Sequence, residues 1–271
     1  MVRLGHIGFS NCFPVHARLL DGGLPPGVEL HTGLPSDLNR WLAERRIDVA
    51  PASSIEFARN PDRYRILPDF VIGARGAVQS ILLEGDTPPS ELHGREVAVP
   101  TASATSVVLL RLILERRYGV VPRYRWFDQT GDSDPFAAGA AAALWIGDAA
   151  LARGDLTQRS YLLDLGAAWA EWTGLPFAFA LWIVSAGPEL DDELRALHEF
   201  LLESRAYFED RLDLLANRYA DTFGIPAARL ASYWRSLDFH LDADMVRGVT
   251  HFYRLAAELD EASPVHSLAY V

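Results

Sequence analysis

Four short runs each follow on an apolar stretch, and three of them are rich in uncharged hydroxyl or amide side chains. They are Ser10-Asn11 after residues 3–9, Ser53-Ser54 after 47–51, Thr101-Ala102-Ser103-Ala104-Thr105-Ser106 after 96–99, and Gly147-Asp148 after 142–146. Hydroxyl and amide groups donate hydrogen bonds without carrying charge. At the carboxyl end of a strand they stand where the next helix presents free N–H groups and a partial positive charge. That combination suits a small anion held by backbone amides and hydroxyls rather than by a cluster of arginines. Helix N-caps draw on the same residue types, so at any single run capping is an equal reading, and the repetition at four strand ends favours a shared site.

The remaining composition narrows the chemistry. All 25 basic residues are Arg and none is Lys, which excludes Schiff-base, lysine-held pyridoxal phosphate and P-loop chemistry. A net charge of −11 has the wrong sign for counterion-releasing contacts with nucleic acid, so no nucleic acid is expected as a partner. The single cysteine, Cys12, cannot close an internal disulfide, and no Cys/His cluster has zinc-ligand spacing, so no metal is expected. No apolar run approaches 18 residues, so no membrane span is expected. The first ten residues lack the apolar stretch of a secretory signal, and a cytoplasmic location is the expectation. Nothing in the sequence fixes how many copies associate.

The elements that would position these runs follow from periodicity. Over the first 185 of 271 residues, short apolar segments alternate with helix-period stretches, which predicts an α/β fold built from βαβ units and a largely parallel sheet. Strands are expected over 3–9, 28–32, 47–51, 78–84, 96–99, 123–127, 142–146, 161–165 and 177–185. From Leu190 onward Leu194, Leu197, Leu201, Phe208, Leu212, Leu215 and Tyr219 recur at helical spacing, with a break at Gly224-Ile225-Pro226 and a last helix over 243–259. Two stretches read as hinges, residues 84–89 and Gly174-Leu175-Pro176. Two crossings imply an inserted lobe: lobe one from 1–85 and 178–271, lobe two from 86–177, with the ligand in the cleft between them.

Several blocks in order carry a resemblance. Ser10-Asn11-Cys12-Phe13-Pro14, Leu34-Pro35-Ser36-Asp37-Leu38-Asn39, residues 47–56 ending in Ser53-Ser54-Ile55-Glu56, residues 64–69 and 76–83, Ser103-Ala104-Thr105-Ser106, residues 146–151 and 172–182 together resemble the menaquinone-biosynthesis family of periplasmic-binding-protein-like enzymes. The match covers roughly residues 3–184, and the C-terminal helices add little to it. The Ser-Ser-Ile-Glu and Ala-Thr-Ser blocks are most similar to the branch that dehydrates chorismate in the futalosine route, rather than to the sister branch that makes 1,4-dihydroxy-6-naphthoate. The resemblance implies a type II periplasmic-binding-protein fold of two lobes, turned to catalysis in the cytoplasm. It also implies chorismate as substrate, 3-[(1-carboxyvinyl)oxy]benzoate and water as products, and no cofactor.

On that reading Asn11 and Ser80 are the expected catalytic residues. An amide at the first strand end donates to a carboxylate or to the departing hydroxyl, and a strand hydroxyl facing the cleft binds substrate or relays a proton; a turn asparagine and a satisfied core serine are the plainer readings. Ser10, Ser53, Ser54, Ser103, Ala104, Thr105, Ser106 and Gly147 are the expected substrate-binding residues, some of them serving only as caps. Asp148 is expected to cap its helix, since a dianion would repel it. His6, His16 and Glu56 are candidate bases without being compelling, which points to the substrate's own enolpyruvyl carboxylate as the proton acceptor. The aromatics Trp169, Trp172, Phe177, Phe179 and Trp182 are expected mostly in the core, with an exception near Pro176-Phe177. Arg75 is the arginine best placed by sequence to add positive potential near the cleft. A solute-binding protein of the same fold is the alternative from another class.

Overall fold

The computed structural model describes residues 1–131, 134–265 and 267–271. The chain begins β1 (Val2–Ile7), α1 (Phe13–Gly22), β2 (Val28–Gly33), α2 (Pro35–Ala43), β3 (Val49–Ser53), α3 (Ser54–Arg59) and β4 (Arg65–Ala74). It continues through β5 (Ile81–Gly85), β6 (Glu96–Pro100), α4 (Thr105–Leu112), β7 (Arg123–Phe127), β8 (Ala142–Ile146), α5 (Gly147–Leu156), β9 (Tyr161–Asp164) and α6 (Leu165–Thr173). The last third is β10 (Phe177–Val184), α7 (Asp191–Phe223), α8 (Ala227–Ser236), β11 (Asp238–His240) and α9 (Ala243–Ala257).

The strands form two sheets, ordered β2-β1-β3-β10-β4-β11 and β7-β6-β8-β5-β9. Both follow one plan: second, first and third strand, then a strand arriving from the other sheet, then the fourth. β1 runs parallel to β2 and β3, and β6 to β7 and β8, whereas β10 and β5 are antiparallel to both of their neighbours. The largely parallel sheet expected from periodicity is thus corrected to two mixed sheets. The cause is geometric. A chain that crosses by a short connection arrives at the carboxyl ends of the parallel strands and must run back the other way, which only an antiparallel partner accepts without a long crossover.

The crossings lie at 75–80 and 174–176. The stretch 84–89, expected as the first hinge, instead joins β5 to β6 within the second sheet, and Ile81–Gly85 pairs with β8 and β9. The boundary at 85/86 therefore moves back to the segment before β5. In that segment Gln79 has a left-handed backbone (φ +62°). The Asp164 carboxylate holds it there, accepting from the Val78 and Gln79 N–H groups at 3.0 and 2.6 Å while also capping α6 through Ala167 N. At the second crossing Gly174 (φ +68°) ends α6 in the left-handed conformation that glycine adopts freely, and Trp169 Nε1 donates to the Pro176 carbonyl at 3.2 Å.

Behind the first sheet, α1 packs on α7 and α8 on α7. The apolar spacing expected for the C-terminal third reappears in α7, where Leu194, Leu197, Leu201, Phe208 and Leu215 are buried. Phe13, at the start of α1, stacks on Trp234 of α8 with centroids 5.2 Å apart and planes 10° from parallel. Trp169, Phe177 and Trp182 are core residues, as expected from aromatic density.

Candidate active site

The carboxyl ends of the two sheets face a narrow cavity of about 50 Å³. The first sheet lines it with Ile7, Phe9, Asn11, Pro35, Ser53, Ile72, Phe179 and Ala180, and the second with Ile81, Ser103, Ser106, Ile146 and Gly147. Apolar walls with a few polar groups between them are the usual make-up of a small-molecule site. Phe179 is buried and also lines the cavity, with its ring 4.7 Å from that of the core residue Phe177. Gly147 is required on two counts: its φ is +62°, and a Cβ there would stand 2.8 Å from the Phe9 ring.

None of these lining groups is charged. Positive potential comes instead from helix starts, since α1 begins two residues after Asn11, α2 at Pro35, α4 at Thr105 beside Ser106, and α5 at Gly147. Each such terminus carries roughly half a positive charge, which favours an anion in a chain without a lysine nearby. Arg75 is turned away, paired with Asp238 at 2.7 Å and Asp242 at 2.6 Å.

Of the residues expected from sequence, the structure brings Asn11, Ser53, Ser103, Ser106 and Gly147 to the cavity wall. The Asn11 Oδ1 atom is buried and has no hydrogen-bond partner. Ser103 Oγ donates to Ser106 Oγ at 3.0 Å and accepts from Ser106 N at 3.3 Å, a local cap that leaves hydroxyl oxygens at the wall. The other four proposed binding residues have different partners. Ser54 Oγ donates to the Ala178 carbonyl at 2.8 Å, and Thr105 Oγ1 accepts from Ile55 N at 3.2 Å, so these two hydroxyls fasten α3 to β10 and α4. Ala104 lines a separate surface groove beside Tyr124 and Trp126. Ser10 gives its N–H and hydroxyl to Asp148, Oγ to Oδ1 at 2.5 Å. Asp148 therefore does not cap α5 as expected but ties the β1–α1 turn to the start of α5. Burial pushes its carboxyl up, against the pull of the Ser10 donors.

Ser80 is buried at the end of the first crossing, next to Ile81 of the wall, and its carbonyl accepts from Gly147 N at 2.8 Å. Its hydroxyl accepts from Tyr233 Oη at 2.7 Å and lies 3.4 Å from the Val78 carbonyl. The neighbouring Trp234 donates from Nε1 to the Ser10 carbonyl at 2.8 Å. Sequence reasoning missed this pair, because Tyr233 and Trp234 sit in an amphipathic helix whose pattern says only that one face is buried.

The candidate bases lie elsewhere. His6, Cys12 and His16 pack behind the Asn11 turn, with Nδ1 to Nδ1 at 3.0 Å, Cys12 Sγ 3.4 Å from His6 Nδ1, and Trp182 Nε1 donating to His16 Nε2 at 3.1 Å. Since Trp182 is a donor only, neutral His16 carries its proton on Nδ1 and gives it to His6 Nδ1. The three side chains are close enough to share a metal ion. A metal on His16 Nδ1 would need an acceptor at Nε2, however, and an indole N–H stands there, so the donor set fits a hydrogen-bonded chain better. Burial pushes His6 down to about 4 and His16 well below its usual value, while Cys12 is pushed up to about 12. Glu56 pairs with Arg59 at 3.0 Å, away from the cavity. Among the described residues, no histidine or carboxylate lines the cavity.

Residues 2–258 match the family model described as menaquinone biosynthesis. The chain is 30% identical over 256 residues to the chorismate dehydratase of Thermus thermophilus, covering 88% of this chain and 89% of that one. It is 32% identical over 211 residues to the 1,4-dihydroxy-6-naphtoate synthase of the same organism, covering 74% and 73%. Among solved structures, a protein from Archaeoglobus fulgidus superposes with a TM-score of 0.76 at 18% identity, covering 96% of this chain and 97% of that one. The periplasmic aliphatic sulphonate binding protein SsuA of Escherichia coli superposes with a TM-score of 0.63 at 14% identity, covering 100% and 93%. The two-lobed architecture is thus that of the periplasmic binding proteins. Among the described residues, no helix is long and apolar enough to cross a membrane.

Proposed function

This chain belongs to the menaquinone-biosynthesis family, and on that premise we propose that it is a chorismate dehydratase. It would form 3-[(1-carboxyvinyl)oxy]benzoate and water, in the cytoplasm, as a step of the futalosine route. The observation that carries the reading is the likeness to the Thermus thermophilus dehydratase along nearly the whole chain. The sister activity has a relative of similar identity, so the cavity must decide between them. A naphthoate-forming enzyme is expected to present a histidine base, and the histidines nearest this cavity are locked in a chain behind it.

The reaction is a 1,2-elimination. A proton leaves the ring carbon bearing the enolpyruvyl ether, hydroxide leaves its neighbour, and the ring becomes aromatic. With no basic side chain on the wall, the substrate's enolpyruvyl carboxylate takes the ring proton and passes it to the departing hydroxide, which closes the balance as water. The protein holds the reacting conformer and supplies neutral hydrogen bonds to the leaving oxygen, the work given to Asn11 and Ser80. Ser53 on one side and Ser103 with Ser106 on the other hold the carboxylates, helped by the helix starts. Ser54, Thr105, Ser10 and Ala104 act only as supports of those walls. The moving parts are the first sheet with the C-terminal helices and the second sheet inserted between the crossings.

The test is incubation of the purified protein with chorismate, without added metal or cofactor, followed by mass spectrometry and ultraviolet absorbance. Loss of one water to the enolpyruvyl benzoate is expected. Unchanged chorismate in the presence of folded protein overturns the reading and returns weight to a solute-binding role.

A further inference from the structure

The phenol of Tyr233 reaches the candidate catalytic serine from α8, and its O–H donates to Ser80 Oγ at 2.7 Å. A serine hydroxyl that accepts on one side must point its own hydrogen elsewhere. The Val78 carbonyl, at 3.4 Å, is too distant to hold that hydrogen firmly.

We infer that Tyr233 is a positioning residue for the dehydration: it makes Ser80 an acceptor toward α8, so that the serine hydrogen is presented to the substrate's leaving hydroxyl. No proton passes through Tyr233 and no bond to it forms or breaks. Complete burial raises the phenol's pKa, so it stays protonated and the direction of the hydrogen bond does not reverse. The same turn of α8 holds the β1–α1 turn, through Trp234 Nε1 on the Ser10 carbonyl and Trp234 stacked on Phe13. Helix α8 therefore supports the site from behind its lining.

This inference rests on the dehydratase reading, and wild-type turnover of chorismate tests that reading separately. With turnover in hand, kcat and KM are measured for Tyr233→Phe, Ser80→Ala and the double variant, with thermal melts showing that each is folded. Tyr233→Phe keeps the buried ring, and the loss of one orienting hydrogen bond lowers kcat about tenfold with KM within about twofold. The double variant turns over no more slowly than Ser80→Ala alone, because Tyr233 acts through Ser80. Wild-type kcat in Tyr233→Phe, or losses that simply multiply in the double variant, would overturn the assignment. Equal falls in stability and activity with no split between kcat and KM would also count against it, as the mark of a purely structural role.

Discussion

The turn between β1 and α1 has two polar faces that differ in one respect. At Asn11, a residue of the cavity wall, Oδ1 is buried without a partner. Toward the interior, His6, Cys12, His16 and Trp182 form a chain in which each ring nitrogen at a contact meets a partner. The ionisable groups are on the satisfied side and the unsatisfied group is neutral. Buried polar groups are normally paired, so on the proposed reading the group left unpaired is the one reserved for the substrate. Basic residue type alone would have pointed to the wrong face.

The sharpest way to break this comparison is Asn11→Leu. Turnover should fall about 100- to 1,000-fold, the usual cost of losing a preorganised hydrogen-bonding group, with the melting temperature unchanged or raised because an unpaired buried amide is removed. A large loss of stability would show that the front face is structural after all.

The rear face should respond to acid. His6 is held at about 4 when folded, against 6.5 in the unfolded chain. Above 6.5 neither state binds the proton and stability is full. Between 6.5 and 4 the unfolded chain takes it up and the folded one does not, so stability falls by about 1.4 kcal/mol per pH unit. His16, also lowered, adds to the slope. Urea unfolding at pH 7 and pH 5 should show the fall and His6→Gln should flatten it; an unaltered slope in that variant would place the acid sensitivity elsewhere.

Gly147→Ala tests the wall itself. Strain at φ +62° and the displaced Phe9 ring should cost about 1–2 kcal/mol of stability and raise KM, read from melts and initial rates. The smallest effect belongs to a contact far from both faces. Glu261 joins Arg59 of α3, at 2.9 Å, to Arg111 of α4, and Glu261→Gln should cost under about 1 kcal/mol, shrinking as salt is added.

Much of the frame was legible in the residues, because strand ends followed by hydroxyl and amide runs mark helix starts in an α/β fold. Each of the four runs does send a residue to one cavity, namely Asn11, Ser53, Ser103 with Ser106, and Gly147. Which hydroxyls face it was not legible, since Ser53 and Ser54 differ only in direction: one lines the wall, the other bonds the Ala178 carbonyl. Strand β4 went unread because Pro68 and Asp69 look like a turn. In the structure Asp69 takes φ +69° close to where the register of β4 on β10 shifts, and the strand passes through a bulge. Val78 to Ser80 read as strand by hydropathy, whereas the left-handed Gln79 bends them into a crossing.

That crossing has a mechanical meaning. A rotation of one sheet against the other turns about a line through the segments 75–80 and 174–176, and points near an axis travel least. Ser80 ends one of these segments and is anchored to Tyr233 of helix α8, whereas Ser103 and Ser106 lie beyond β6 in the second sheet. The groups that grip can swing wide to admit a substrate while the hydroxyl proposed to assist departure of the leaving group hardly moves.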